Sequence, residues 1–343
     1  MEGLAESGER AFEALTSADI RQRCLEDPLF AARYDGWQPL GWGLRSIVVR
    51  THLRGVNTPL ALKVLYDTLP SERRRFRAAA EAMMRVAHPC VLRTFAVFDR
   101  GPLLWVELEL IEGLTLDAAL ARQAAAGTRW TMPETLEIAA SLAEAVAAVH
   151  AAGFLHLDVK PRNVLVPRDP HWPPKLGDFG IARSLDATID LAAPLCGSPA
   201  YLCPEAQAGQ EPGPARDVYA LAVTLYQVFS AGQYPFELEP RPTLWEMQES
   251  HRRRLPIPLS VYAPDLPDTV LEIVARGLWK VPGRRPTAAT MAGVLRAAQG
   301  RGSVIADAPS GVNRLSLVLA ALVGSVLTVC GLVALGVGWL LFG

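Results

Sequence analysis

The stretch His156-Leu157-Asp158-Val159-Lys160-Pro161-Arg162-Asn163 sets a carboxylate, an ammonium and a carboxamide within a few positions. Few structural needs ask for that set. Transfer of a phosphoryl group does: Asp158 would accept the proton of an incoming hydroxyl, Lys160 would stand beside the moving charge, and the Asn163 amide oxygen would bind Mg²⁺. Fifteen residues beyond Asn163, Asp178-Phe179-Gly180 adds a second carboxylate and a Gly suited to a hinge. One such tripeptide alone is an ordinary turn with an apolar anchor, whereas two motifs in this order narrow the chemistry.

Together the two motifs resemble the catalytic loop and metal-binding motif of the eukaryotic-type serine/threonine protein kinases, in the form found in bacteria. The resemblance implies an α+β, two-lobed fold, with a small β-rich N-lobe and a larger helical C-lobe, from about Tyr34 to Ala298. It implies ATP and Mg²⁺ as cofactors and, from the Asp158-x-Lys160 spacing, a Ser or Thr hydroxyl on a protein as acceptor. In that reading Asp158 and Lys160 are catalytic, Asn163 and Asp178 bind metal, and Leu165 closes the adenine pocket from below.

These groups need a scaffold on the nucleotide's other side. Leu40-Gly41-Trp42-Gly43 and the extended run to Val49 precede Leu60-Ala61-Leu62-Lys63-Val64-Leu65, a Lys among apolar residues. A G-x-G alone marks any tight strand turn. About twenty residues ahead of such a Lys, it resembles the nucleotide-covering loop and third strand of a kinase N-lobe. Leu40, Gly41, Gly43, Val48 and Ala61 would then surround the nucleotide, and Lys63 would grip the α and β phosphates. Ser46 stands where the family has a third Gly, stiffening the loop and adding a hydroxyl near the γ phosphate. The run from Leu103 to Gly113 is similar to the fifth strand and hinge: Leu108 would guard the back of the adenine pocket, with main-chain groups of Glu109 and Ile111 bonding adenine.

Ser71 to Ala87 has helical propensity, and the family's matching helix supplies a Glu that pairs with the strand Lys. Counted back from His88-Pro89, that position is Ala79, with Met83 in the apolar position four residues on. Glu81 lies about 200° round the helix and faces elsewhere. The family's Arg before the catalytic Asp is Leu157 here, which implies activity independent of an activation-loop phosphate. Ala79 and Leu157 support the alternative of a pseudokinase, a module that binds nucleotide or a partner and transfers little phosphate.

Gly197-Ser198-Pro199-Ala200-Tyr201 and Cys203-Pro204-Glu205 resemble the G-T-P-x-Y and A-P-E ends of an activation segment, with Ser184 and Thr188 as its other hydroxyls. Asp217 would hold catalytic-loop amides, and Arg285 would pair with Glu205. Leu114 to Arg122 reads as a short helix, Met132 to Ala151 as a long one, and Met291 to Ala298 as the close of the lobe.

The chain has 343 residues, half of them hydrophobic, and 34 basic against 35 acidic side chains. That balance argues against a nucleic-acid binder held by phosphate contacts. Cys24, Cys90, Cys196, Cys203 and Cys330 are odd in number and lack C-x-x-C spacing, which suits free thiols and not a zinc site. Residues 1–33 read as a helical extension, docked on the N-lobe, bound to a partner, or solvated and lightly packed, the last being favoured. The first nineteen residues lack the apolar stretch of a secretory leader.

After a linker over 299–314, Leu315 to Phe342 is an uncharged run of 28 residues, beyond the ~20 needed to span a bilayer. One transmembrane helix is expected there, anchoring the chain at the plasma membrane. Arg296, Arg301 and Arg314 before the span put the kinase-like part in the cytoplasm. Gly324, Gly331 and Gly338 recur every seven residues, a spacing that would let two copies pack as a membrane homodimer.

Overall fold

The computed structural model describes residues 16–43, 46–66, 69–101, 103–178, 183–184, 198–239 and 242–306. Phe179, Gly180, Thr188, Gly197 and the apolar run from Leu315 to Phe342 lie outside the described residues. Among the described residues no helix is long and apolar enough to cross a membrane.

The chain enters through α1 (Ser17–Glu26) and α2 (Pro28–Arg33). Thr16 and Asp19 form a reciprocal capping box that starts α1, and the Asp27 side chain accepts from the Leu29 and Phe30 amides to start α2, so first-turn donors are satisfied. A five-stranded sheet follows: β1 (Tyr34–Gly43), β2 (Ser46–Leu53), β3 (Thr58–Leu65), β4 (Thr94–Arg100) and β5 (Leu103–Leu108), in the order β1-β2-β3-β5-β4. Helix α3 (Pro70–Met83) joins β3 to β4. It stops short of the expected Ala87, well before His88-Pro89.

The inner strands β3 and β5 are buried on both faces, and this explains the apolar run over residues 103–106. Leu65, Leu104 and Val106 pack with Phe76 and Ala80 of α3. Ile47, Val49, Leu60, Leu62, Val64 and Trp105 pack with Ile20, Cys24, Phe30 and Tyr34. Ile20 and Cys24 are fully buried. Over residues 16–33 the extension is therefore not the solvated helix favoured from sequence; it is the second cover of the sheet. Sparse apolar positions misled because Ile20, Cys24 and Phe30 are enough to meet one surface while Leu25 and Leu29 stay exposed.

That cover carries a polar lock. Glu107, 3% exposed, accepts from the Arg33 guanidinium and, at 2.6 Å, from the Tyr34 hydroxyl. Trp105 Nε1 donates to the same hydroxyl at 2.9 Å. Burial first, then the Glu107 carboxylate, pushes the Tyr34 phenol up, so it stays a neutral donor.

The helical C-lobe contains α4 (Leu116–Ala126), α5 (Met132–Ala151), α6 (Pro204–Gln207), α7 (Pro214–Phe229), α8 (Leu244–Arg253), α9 (Asp268–Gly277) and α10 (Ala288–Ala306). Short strands β6 (Gly113–Thr115), β7 (Phe154–Leu155), β8 (Val164–Pro167), β9 (Lys175–Leu176) and β10 (Arg183–Ser184) frame the catalytic loop. Leu114 and Thr115 pair with Val166 and Leu165, which delays α4 by two residues. Helix α7 is the core: Leu221, Ala222, Val223 and Leu225 have no exposure, the pattern of a helix apolar all round. A Cβ on Gly277 would lie 2.5 Å from that of Ala222, so α9 approaches α7 only because it ends on glycine.

Replacing Ile20 by Ala should lower unfolding free energy by roughly 2–4 kcal/mol through an unfilled cavity, read as a shifted urea midpoint. An unchanged midpoint would show that α1 adds nothing to the folded N-lobe.

Candidate active site

The catalytic loop runs between β7 and β8 and is held from below by Asp217 in the first turns of α7. This carboxylate, with no exposure, accepts from the His156 amide at 2.8 Å and the Leu157 amide at 2.7 Å. His150 Nε2 lies 2.9 Å from it. Leu157 has φ 65°, a left-handed conformation that costs a branched residue on the order of 1 kcal/mol. The two buried bonds to Asp217 offset that cost. His156 is itself fully buried; desolvation above all drives its pKa down, against the pull of Asp217 and Asp158. Its Nε2 lies 3.1 Å from the Gly177 carbonyl, which sets the residue before Asp178.

Asp158 sits at the centre of a fixed set of donors. Lys160 Nζ donates to its Oδ2 at 2.6 Å and Asn163 Nδ2 to the same oxygen at 2.9 Å. Ser198 Oγ donates to Oδ1 at 3.1 Å and accepts from Lys160 Nζ, 2.7 Å away. Asn163 Nδ2 also reaches the Asp158 carbonyl at 2.8 Å. With its nitrogen committed twice to Asp158, Asn163 keeps its amide oxygen as the atom that could ligate a metal. The Gly177 amide donates to the Asn163 carbonyl at 2.8 Å, bringing Asp178 beside it. An amide oxygen and a carboxylate are the hard donors that Mg²⁺ takes, so Asn163 and Asp178 fit that ion.

Across the cleft, Lys63 on β3 pairs with Asp178 Oδ1. Asp178 has φ 55°, a region Asp tolerates better than most residues. Desolvation raises its pKa, yet the Lys63 ammonium, helped by His156 and Lys160, prevails and holds the carboxyl below its ordinary value. Ala79 is buried at 1% exposure, and Glu81 turns away to bind Arg77 at 2.8 Å. Where the family places an acid, Lys63 instead faces the Phe76 ring at 5.4 Å. Phe76, Ala80, Met83 and Leu108 line a small cavity with Lys63 and Asp178. Phe76 was not singled out from sequence, because an apolar residue in a helix carries no sign that it will meet a charge.

The remaining expected residues fall around this cleft. Gly41 and Gly43 on β1 oppose Val48 and Ser46 on β2, and Leu40 is half exposed. Val48 pairs with Lys63, and Ala61 with Leu108. The Glu109 amide donates to the Arg93 carbonyl at 2.9 Å, and its carboxylate takes the buried Lys175 ammonium at 3.0 Å. Of the Glu109 main-chain groups the carbonyl is thus the one left for a ligand, and Ile111 follows two positions on, partly exposed. Leu165 lies on β8 between Thr115 and Lys175.

Downstream, Arg285 holds Glu205 in a fork, with Nη2 to Oε2 at 2.9 Å. Both side chains are buried. Burial pushes the Glu205 carboxyl up, but Arg285 outweighs it and the net shift is down. Arg285 also donates to the Trp279 and Ala215 carbonyls, at 2.7 and 2.8 Å, so four of its five donors are engaged, as suits a buried cation.

The protein kinase domain family matches residues 34–294. The chain is 33% identical to serine/threonine-protein kinase PkaB of Streptomyces coelicolor over 278 residues, covering 77% of this chain and 63% of that protein. It is 31% identical to serine/threonine-protein kinase pkn3 of Myxococcus xanthus over 268 residues, covering 73% and 47%. With serine/threonine-protein kinase PknA of Mycobacterium tuberculosis it shares 32% identity over 235 residues, covering 66% and 52%. The chain spans about half the length of the relatives it matches. By the matched segment and the site that segment carries, the chain belongs to the protein kinase domain family.

Proposed function

We propose that this chain transfers phosphate from ATP to Ser or Thr hydroxyls of protein substrates. The observation that carries the reading is the Asp158-Lys160-Asn163-Ser198 cluster standing beside Asp178 and Lys63. Asp158 would take the acceptor's proton through Oδ1, where Ser198 already donates. Lys160 and Lys63 would neutralise charge that grows on the transferred group, and fixed donors cost little reorganisation at that moment. Asn163 and Asp178 would hold Mg²⁺, which with ATP supplies the activated phosphoryl group.

A second reading, a pseudokinase, is favoured by one observation: Ala79 leaves Lys63 without a helix acid, and the Lys pairs with the metal-binding Asp178 instead. Metal and ammonium then share one carboxylate. This weakens the site without removing any group closest to the chemistry, and the active enzyme is the better fit.

We further propose that Leu315 to Phe342 anchors the chain in the plasma membrane with the kinase domain on the cytoplasmic side. Support comes from the run's length and lack of charge and from the arginines that precede it. The glycines at 324, 331 and 338 favour a homodimer through that helix.

Incubated with labelled ATP and Mg²⁺, the protein should label itself or an added protein, and Asp158→Asn should reduce the signal by about a hundredfold or more. Equal signal in both would reject this mechanism. In the same assay Ala79→Glu should raise kcat about tenfold by giving Lys63 its own partner, equivalent to ~1.4 kcal/mol; a drop would show that Phe76 and the cavity suit Lys63 better than an acid. The full chain should stay with membranes after alkaline extraction and a chain ended at Arg314 should not, while unchanged self-association of Gly331→Ile would remove the dimer.

A further inference from the structure

Two residues beyond Ser198, the carbonyl of Ala200 is gripped from beneath. Tyr234 Oη donates to it at 2.6 Å, and His251 Nε2 lies 3.0 Å away. His251 belongs to α8 and has no exposure. Its ring lies among Tyr219, Tyr234 and Phe236, with centroids at 5.5, 5.8 and 5.1 Å. Tyr219 Oη of α7 lies 2.8 Å from Nδ1. A carbonyl can only accept, so Nε2 carries the proton and Nδ1 accepts from the Tyr219 hydroxyl. The ring is neutral: burial, then the Lys280 charge, pushes its pKa down to about 3. Lys280 Nζ donates to the His251 carbonyl at 2.6 Å and stands 4.3 Å over Phe236. The Tyr234 hydroxyl also meets Nε2, so hydroxyl, ring and carbonyl form one hydrogen-bonded triangle.

The segment so held has little local structure of its own. Pro199–Tyr201 is a single 3₁₀ turn, closed by Tyr201 amide to Ser198 carbonyl at 2.9 Å. Ser198 reaches up to Asp158 and Lys160, and Tyr201 Oη donates to Gln227 at 2.8 Å. The height of this turn under the cleft is therefore set by side chains of α7, α8 and the loop between them.

We propose that His251 and Tyr234 are positioning residues for the protein acceptor: by fixing the Ala200 carbonyl they fix the turn on which the acceptor's main chain lies beside Asp158. This rests on the kinase reading above and adds a specificity element outside the cleft. Among the described residues their side-chain hydrogen bonds run to Ala200, Tyr219 and each other, and none runs to Lys63, Asn163 or Asp178. They act on the acceptor and not on the nucleotide. A buried carbonyl that loses a donor relaxes toward another partner, and the turn would move with it.

The test uses the full chain in detergent, with dephosphorylated casein as acceptor and ATP varied separately. His251→Leu should raise KM for casein about tenfold while KM for ATP stays within about twofold. Tyr234→Phe, which keeps the ring and removes only the hydroxyl, should raise KM for casein about threefold. His251→Gln, whose amide can donate to Ala200 again, should recover most of the loss. Should His251→Leu fail to fold, Tyr234→Phe decides alone. If kcat and both KM values change together in step with a lowered melting temperature, and Gln rescues no better than Leu, the pair is core packing and the proposal falls. Wild-type protein that labels casein while Tyr234→Phe has an unchanged casein KM overturns this proposal and leaves the kinase reading standing. Wild-type protein that labels nothing ends both.

Discussion

The buried carboxylate of Asp217 holds the catalytic loop in a backbone form that the loop's own residues disfavour. Leu157 in a left-handed conformation has no local reason to stay there. The two amide bonds to Asp217 supply one, and they are strong because the acceptor is removed from water. Once Leu157 is fixed, Asp158 points toward Lys160, Asn163 and Ser198, and His156 is left to receive the chain at Gly177. Positioning in this family site thus begins in the first turn of α7, a helix outside the set of reacting groups.

The two lobes meet electrostatically at Lys63 and Asp178. With alanine at position 79, that contact is the main charged tie between the sheet and the metal motif among the described residues. Phe76 supplies a ring face for the ammonium, a softer and less directional partner than a carboxylate. Lys63 is thereby placed, though with fewer constraints than a forked or paired acid would give. The chemistry of the cleft is intact while the orientation of one of its cations is relaxed.

Much of this was legible in the chain itself, and for a physical reason. The base, its cation and the metal ligands lie within a few residues because one tight loop must aim them all at a single point, so their spacing is short and readable. Ala79 was legible too, since helix register fixes which position faces the strand. Glu107 was not. It reads as one polar residue in a strand, and only the arrival of Arg33 and Tyr34, more than seventy positions away, turns it into a buried anchor. His251 and Tyr234 were missed for the same reason: each is an ordinary residue in its own segment, and their shared target is a backbone atom far off in sequence. Helix ends also moved, α3 closing early before His88-Pro89 and α4 starting late because Leu114 and Thr115 were drawn into strand pairing.

Arg33, Phe30, Cys24 and Ile20 all precede Tyr34, where the family's shared segment begins. A fragment cut at that border would bare one whole side of the sheet, including the indole of Trp105, and strand the Glu107 charge without its guanidinium. What is common to the family and what is needed for this member to stand alone are therefore different lengths of chain. Two helices of ten and six residues, with no role in the chemistry, thus form the outer wall of this N-lobe.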